Sequence, residues 1–557
     1  KILDPAVGSG HFLESAIDVL VEIYHKLRNR ARYIGANGFE ITVTDERGEI
    51  KRIDLLDIDD EHFNLYLKFF IILSRNIYGV DINPSALKVA RARFFLSMAK
   101  HFRPSGKGDE FFVRFPNVHF NLREGNSLIG YASIGKDKVD LFSFSGASRK
   151  DKKYIENKID ILDDLREYLE SCSEALGLEG DINSDIEDLN TIFSQKKIKW
   201  TDIERLLKIK EKLVSILIVS LNSKQATAIN DLLDTIDDVF CSKFDEKFAE
   251  DYDTPLEKLK ELKAFHWILD FPEAFIKGNG FDIVIGNPPY KGEKGNKDLF
   301  GIIERINPDI WEGRSNLAYI FVMRSLRNLL QRGGYLSFII PRYWLTADYA
   351  KKFRKSIFIE NTLLRIIDFE DLNPFHIRIG VNFSIILMKK ERPTPYELLS
   401  VYYPKKNQKA QYSYNMIELT DNGMKFPDSI SSFMENTSKK LVEQGFTVNQ
   451  GIITGADREG RSKTSKGIFV LQEEIDDRLL EKIMNSNEKC LLKRWFKNSE
   501  IKRYHLELNE KRYVIYLENE IREEEFPIIM EHLSNYKDRL QERREFKNGK
   551  RTWYLLH

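Results

Sequence analysis

Strand and helix patterns alternate along this chain, stop, and then resume, and that interruption limits the fold more than any other feature. Residues 1–130 open with ILDPA, a glycine turn and the helical run HFLESAIDVLVEIYHKL, where Phe12, Ala16, Val19, Leu20 and Ile23 fall along one face. ITVTDERGEIKRIDL (Ile41–Leu55) reads as a hairpin, NIYGVDI (Asn76–Ile82) as a strand, and NPSALKVARARFFLSMA as the helix after it, with Asn83 or Ser85 placed to cap it. Residues 131–264 lose the strand signal. Ile203, Leu206, Leu207, Ile216 and Leu217, then Ile229, Leu232, Leu233, Ile236 and Val239, keep helical spacing instead. In residues 265–392 strands return as FDIVI, GGYLSFIIP, LLRIIDF and VNFSIILMKK, the last two close enough in sequence to pair antiparallel. An α/β fold, with a parallel sheet interrupted by a helical insertion, is the simplest account. Residues 393–440 read as a linker and 441–557 as a second domain of mixed α+β character.

The chain has 557 residues, and lysine plus arginine equal aspartate plus glutamate at 86 each, so any affinity for nucleic acid must come from local patches. The longest apolar run, LVSILIVSL (Leu213–Leu221), is about half of the roughly 18 residues a membrane span needs, and reads as a core helix. No membrane partner is expected. Cys172, Cys241 and Cys490 are scattered without metal-ligand or disulfide spacing, which suits a reducing, cytoplasmic setting and implies no metal site. The opening KILDPAVGSG leaves almost no room for a complete strand before the glycine turn, so we expect a piece of a longer protein.

GNPPY (Gly286–Tyr290) ends the FDIVI run in a stiff corner, because each proline fixes its own φ and restricts the residue before it. The Asn287 amide oxygen and the Pro288 carbonyl can then converge on one spot, which suits an NH2 group with two hydrogens to donate. Tyr290 adds a flat face for a planar ring. DPAVGSG (Asp4–Gly10) lets backbone approach a ligand closely at a strand-to-helix turn. Asp81, at the end of a neighbouring strand, is placed either to accept hydrogen bonds from ribose hydroxyls or to cap the helix that follows.

Asp4–Gly10, Asp81, Asn126–Leu128, Asn287–Tyr290, SNLAYIF, GGYLSFIIPRYWL and DLNPFHI follow the motif order of gamma-class adenine-N6 DNA methyltransferases. More closely, the chain resembles the methylase and specificity portions of type IIG restriction–modification enzymes, and FHWILDFPEAF (Phe265–Phe275) is similar to that group too. The resemblance implies a Rossmann-like class I fold that binds S-adenosylmethionine, followed by a target recognition domain cut short at His557. It places Asp4, Ala6, Gly8, Gly10, Phe12, Asp81, Ile82, Asn126, Ser127, Leu128 and Asn287 around the cofactor. Asn126 stands where the family usually carries an aspartate, so the bond to the cofactor's adenine would lack a charge. Asn287, Pro288, Pro289 and Tyr290 become the catalytic set. Tyr290 and Phe375 would stack on an adenine flipped out of double-stranded DNA, although core packing would also explain Phe375.

Two C-terminal clusters mix basic and aromatic residues, LKRWFKNSEIKRYH and RREFKNGKRTWY. Lys493, Arg494, Lys502, Arg503, Arg543, Arg544, Lys550 and Arg551 are the candidate DNA contacts, against the plainer reading of solvated surface. GEIK (Gly48–Lys51) and REFK (Arg544–Lys547) match nuclease sequences only superficially, so a nuclease is expected upstream of Lys1 if anywhere. Other readings stay open at this point: methylation of a protein glutamine, an RNA base or cytosine N4, or a catalytically silent module that grips DNA.

Overall fold

The computed structural model describes the chain except for residues 38, 45–48, 102–120, 133–142, 221–223, 276–279, 307, 309–312, 314, 348–349, 376–380, 421–422, 426–465, 497–500, 503–504, 507–510, 518–519, 544–545, 547–551 and 557. It divides into two units, Lys1–Ser429 and Ile430–His557.

A central sheet organises the first unit. The first alternating block supplies β1 (Ile2–Asp4), β2 (Ile77–Asp81) and β3 (Leu122–Glu124). The second supplies β4 (Phe281–Gly286), β5 (Leu330–Pro341), β6 (Thr362–Asp368) and β7 (Phe383–Lys389), and β8 (Leu398–Tyr403) and β9 (Gln408–Ser413) follow. Across the sheet the order is β3-β2-β1-β4-β5-β7-β6-β8-β9. Neighbours from β3 to β5 are parallel, and β7 runs antiparallel between β5 and β6. β8 lies parallel to β6, and β9 turns back antiparallel to it. The α/β class expected from the alternation is the one observed, including the antiparallel pairing of β6 with β7.

This order contains a reversal. From β1 the chain steps outward through β2 to β3, then returns to place β4 on the other side of β1, in the register Ile2↔Ile283 and Leu3↔Val284. A crevice opens beyond the carboxyl ends of strands at such a switch point, so β1 and β4 fix where a ligand can sit.

Both faces of the sheet are covered, as its parallel part demands. On one face α1 (His11–Ile34) and α2 (Pro84–Ala99) join a cluster with Val7, Ile77 and Phe94. Asn83 caps α2 by accepting the Ser85 amide at 3.0 Å. The expected face of α1 is corrected by one step: Leu13 and Ile17 are buried, while Phe12, Val19 and Ile23 are exposed. The α1 sequence carries enough apolar residues for two helical stripes, and the left-handed turn at Gly10 (φ 85°) sets the rotation at which the helix leaves β1.

On the other face Tyr78 and Phe281 of the sheet pack against Phe271 of the segment before β4, and the insertion joins the same cluster. Its helices α3 (Arg149–Asp163), α4 (Arg166–Leu176), α5 (Ile182–Ser194), α6 (Trp200–Val219) and α7 (Lys224–Asp251) bury their stripes in one cluster with Leu3, Val284 and Leu336 of the sheet. Of the apolar run noted in the sequence, Leu213 and Ile216 to Val219 are buried in the last turns of α6, and Leu221 lies outside the described residues. No helix among the described residues is long and apolar enough to cross a membrane.

In the second unit, Arg512–Ile515 pairs antiparallel with Val470–Gln472 and with Leu492–Arg494. Phe469, Val514, Ile529 and Leu533 centre its core.

Leu336 is fully buried on β5, where both faces of the sheet are packed. Truncating it in Leu336→Ala leaves a cavity, and urea titration is expected to show a loss of about 2–5 kcal/mol in unfolding free energy.

Candidate active site

Two turns meet at the switch point because β1 and β4 end side by side. Asp4, the last residue of β1, is buried, and its Oδ1 accepts the Ala6 amide at 3.0 Å. Gly286, the last of β4, lies directly against that carboxyl. A Cβ there would come within 2.5 Å of Asp4 Oδ1, and the φ of +154° disfavours a side chain as well, so glycine is required. The DPAVGSG and GNPPY turns are therefore in contact.

The glycine turn also reaches β2. Gly8 donates its amide to Asp81 Oδ2 at 2.8 Å, and Asn83 donates to Oδ1 of the same carboxylate at 2.8 Å. Asp81 thus ties two turns together, while the capping of α2 falls to Asn83. The loop after β3 closes a third side. Ser127 donates from Oγ to the Pro5 carbonyl at 2.5 Å, and Asn126 Oδ1 accepts the Leu128 amide at 3.2 Å.

Between these turns lies a cleft of about 830 Å³. Ala6, Asp81, Ile82, Asn126, Ser127, Leu128, Asn287 and Pro289 line it, together with Pro5, Gly125, Leu262, Lys291 and Phe321, which the sequence did not single out. Ile82 keeps about half of its surface exposed there. Asp4 and Gly8 support the cleft from behind through the bonds above. Gly10 and Phe12 are not among its lining residues. Gly10 makes room for α2, since a Cβ would sit 3.1 Å from Ala90 and 3.2 Å from the Phe94 ring, and Phe12 is exposed on α1.

At the diproline corner Pro288 is buried and Tyr290 half-buried. The Tyr290 hydroxyl donates to Asn287 Oδ1, fixing the carboxamide, and lies 3.4 Å from the Ile339 carbonyl. Burial pushes the phenol above its usual range, with the Asn287 bond opposing, so it stays a donor. The rings of Tyr290 and Phe375 both rest on Phe383, with centroids 5.1 and 5.0 Å away. Phe383 went unnoticed because it opens an apolar strand, where one more core residue carries no signal.

The basic candidates are unevenly placed. Lys493 and Arg494 are exposed on the edge strand Leu492–Arg494, with Arg494 over the Tyr513 ring at 5.5 Å. Lys502 lies in the short strand Ile501–Lys502. Arg543 has an intramolecular role, donating to the Trp553 carbonyl at 2.5 Å and the Leu555 carbonyl at 2.9 Å. Arg503, Arg544, Lys550 and Arg551 lie outside the described residues.

Residues 75–375, more than half of the chain, match the Eco57I restriction-modification methylase family. The chain belongs to that family. Of this chain's relatives, one from Methanocaldococcus jannaschii, provisionally named a type II restriction enzyme and methyltransferase, is 26% identical over 447 residues, which is 74% of this chain and 32% of that one. The chain therefore spans about a third of that relative's length. The type II methyltransferase M.TthHB8I of Thermus thermophilus is 35% identical over 79 residues, covering 13% of this chain and 18% of its own. Among solved structures, the type IIL restriction–modification enzyme MmeI in complex with DNA is 10% identical, covering 76% of this chain and 58% of its own at a TM-score of 0.33.

Burial raises the Asp4 carboxyl to about 7, Asp81's negative charge adds to the shift, and the Ala6 amide opposes it. The folded state then holds a proton that the unfolded chain has released, so stability from this group falls as pH rises from about 4 to about 7. Asp4→Asn removes the titration. Urea unfolding across this range should show the variant gaining on the wild type by up to about 1.4 kcal/mol per pH unit, and a flat difference would contradict the assignment.

Proposed function

We propose that this chain is the methyltransferase part of a restriction–modification enzyme, transferring a methyl group from S-adenosylmethionine to N6 of adenine in double-stranded DNA. One observation carries the reading: Asn287 and Pro289 of the diproline corner line the same cleft as Asp81, Ile82 and Asn126–Leu128. The cleft fits the cofactor in size, since small-molecule sites run to about 300–1,000 Å³. It fits in chemistry too. Each Asp81 oxygen accepts one backbone amide and retains acceptor capacity for a hydroxyl, and exposed Ile82 offers apolar surface to a ring. The family match and the names of the relatives support the same activity.

S-adenosylmethionine supplies an electrophilic methyl group. The protein's part is to present the amine. An adenine stacked in a duplex is out of reach, so it must be flipped. Asn287 Oδ1 and the Pro288 carbonyl accept the two N6 hydrogens, which turns the nitrogen lone pair out of the ring's conjugation. The Tyr290 hydroxyl holds the Asn287 amide so that its oxygen faces the corner. Tyr290 and Phe375, both seated on Phe383, offer faces to the base. Lys493, Arg494 and Lys502 are the proposed phosphate contacts, and the setting is cytoplasmic, with the host's DNA.

The test is transfer of tritiated methyl from S-adenosylmethionine to unmodified genomic DNA, followed by digestion to nucleosides. Label is expected in N6-methyl-2′-deoxyadenosine, and label in deoxycytidine or in protein would overturn the assignment. Asn287→Ala should lower the rate by at least about 100-fold. Phe375→Ala should cost on the order of 1–3 kcal/mol of base stacking, roughly 5- to 150-fold in transfer.

A further inference from the structure

The FHWILDF segment before β4 has no part in the chemistry above, yet it runs beside the loop after β3 for the loop's whole length. Asn126 donates its amide to the Lys263 carbonyl at 2.7 Å, and Phe265 donates to the Ile129 carbonyl at 2.8 Å. Trp267 Nε1 donates to the Ser127 carbonyl at 3.2 Å, and the Tyr131 amide donates to His266 Nδ1 at 3.2 Å. The fit is close: at Gly130 (φ +120°) a Cβ would lie 2.2 Å from the Phe265 carbonyl oxygen. Gly125, Asn126, Ser127 and Leu128 of this loop form one wall of the cleft.

Among these ties, the His266 side chain leads into the insertion. His266 is fully buried, stacked 5.6 Å from Tyr131 and tilted against Phe244 at 5.3 Å. Its Nδ1 accepts a backbone amide, so the proton of the neutral ring sits on Nε2, which donates to Asp245 Oδ1 on α7 at 3.1 Å. Burial holds the ring below its usual pKa, in keeping with a neutral imidazole. Asp245 thereby selects the tautomer that can receive Tyr131.

We propose that His266, oriented by Asp245 of the helical insertion, is a positioning residue that holds the Gly125–Tyr131 wall in the shape that binds the cofactor. The insertion is then part of the cofactor site without touching it. The inference rests on S-adenosylmethionine as the ligand of this cleft.

The experiment is equilibrium binding of radiolabelled S-adenosylmethionine to the full chain, paired with methyl-transfer kinetics. Asp245→Ala should weaken binding by about tenfold, the effect of one buried hydrogen bond. The loss should appear in the cofactor KM, with the rate at saturating cofactor close to wild type. Asp245→Asn keeps an acceptor for Nε2–H and should restore affinity, which a purely structural defect read by melting temperature would not predict. Should Asp245→Ala fail to fold, Asp245→Leu removes the acceptor while filling the space, and amide exchange at Ile129 and Tyr131 should accelerate in it. Wild-type binding with unchanged affinity in the alanine or leucine variant would overturn this inference alone. No binding by the wild type would overturn the cofactor reading and this inference with it.

Discussion

Parallel pairing of β1 with β4 is the constraint on which the first unit depends. Leu3 lies against Val284, so the last residues of the two strands, Asp4 and Gly286, must meet. Each strand then runs into its own turn, one rich in glycine and the other stiffened by proline, and both turns face one cleft. A side chain at Gly286 would collide with the Asp4 carboxyl, and a shift of one residue in register would move every side chain of β4 to the opposite face of the sheet. The positions of Asp81 and of the loop after β3 follow from the same pairing, since β2 and β3 stack outward from β1.

Buried polar groups concentrate where backbone has to be held in irregular shapes. The Asp4 carboxyl, the His266 ring and the Arg324 guanidinium are all inside the protein, and each bonds to a loop around the cleft. Arg324 donates to the Gly130 carbonyl at 2.5 Å, and burial lowers its pKa to about 10. Burying such groups is costly unless they are well bonded, and an apolar core would be more stable. Their return is geometric: hydrogen bonds have direction, and a loop that must keep one shape needs direction more than apolar contact does.

Strands and their pairing could be read from the sequence because their signals are local. FDIVI, GGYLSFIIP and VNFSIILMKK are apolar runs with clear ends, and the closeness of β6 and β7 in sequence pointed to their antiparallel pairing. The cleft residues Asp81, Asn126 and Asn287 were legible for a different reason, since each sits in a motif of fixed chemistry. What could not be read depends on distant partners. The rotation of α1 was set by the Gly10 turn and the sheet beneath it, so Leu13 replaced Phe12 at the core. Gly10 also makes room for Ala90 and Phe94, a packing demand that its motif did not reveal. Arg543 resembled a surface cation, and only the fold brings the Trp553 and Leu555 carbonyls to it. Phe383 and Leu262 were hidden among other apolar residues of a strand and a helix end.

The return of β4 to the side of β1 has a consequence for how the molecule acquires its shape. The whole insertion, with β2 and β3 before it, separates the two strands in sequence, so their union closes a very long loop and should be a late event in folding. Until then β1 carries an unsatisfied edge, open to the wrong neighbour. By collapsing first, the helices of the insertion would shorten the effective loop and bring the strands within reach. A segment that looks like an interruption of the sheet would thus act as the scaffold on which it is completed.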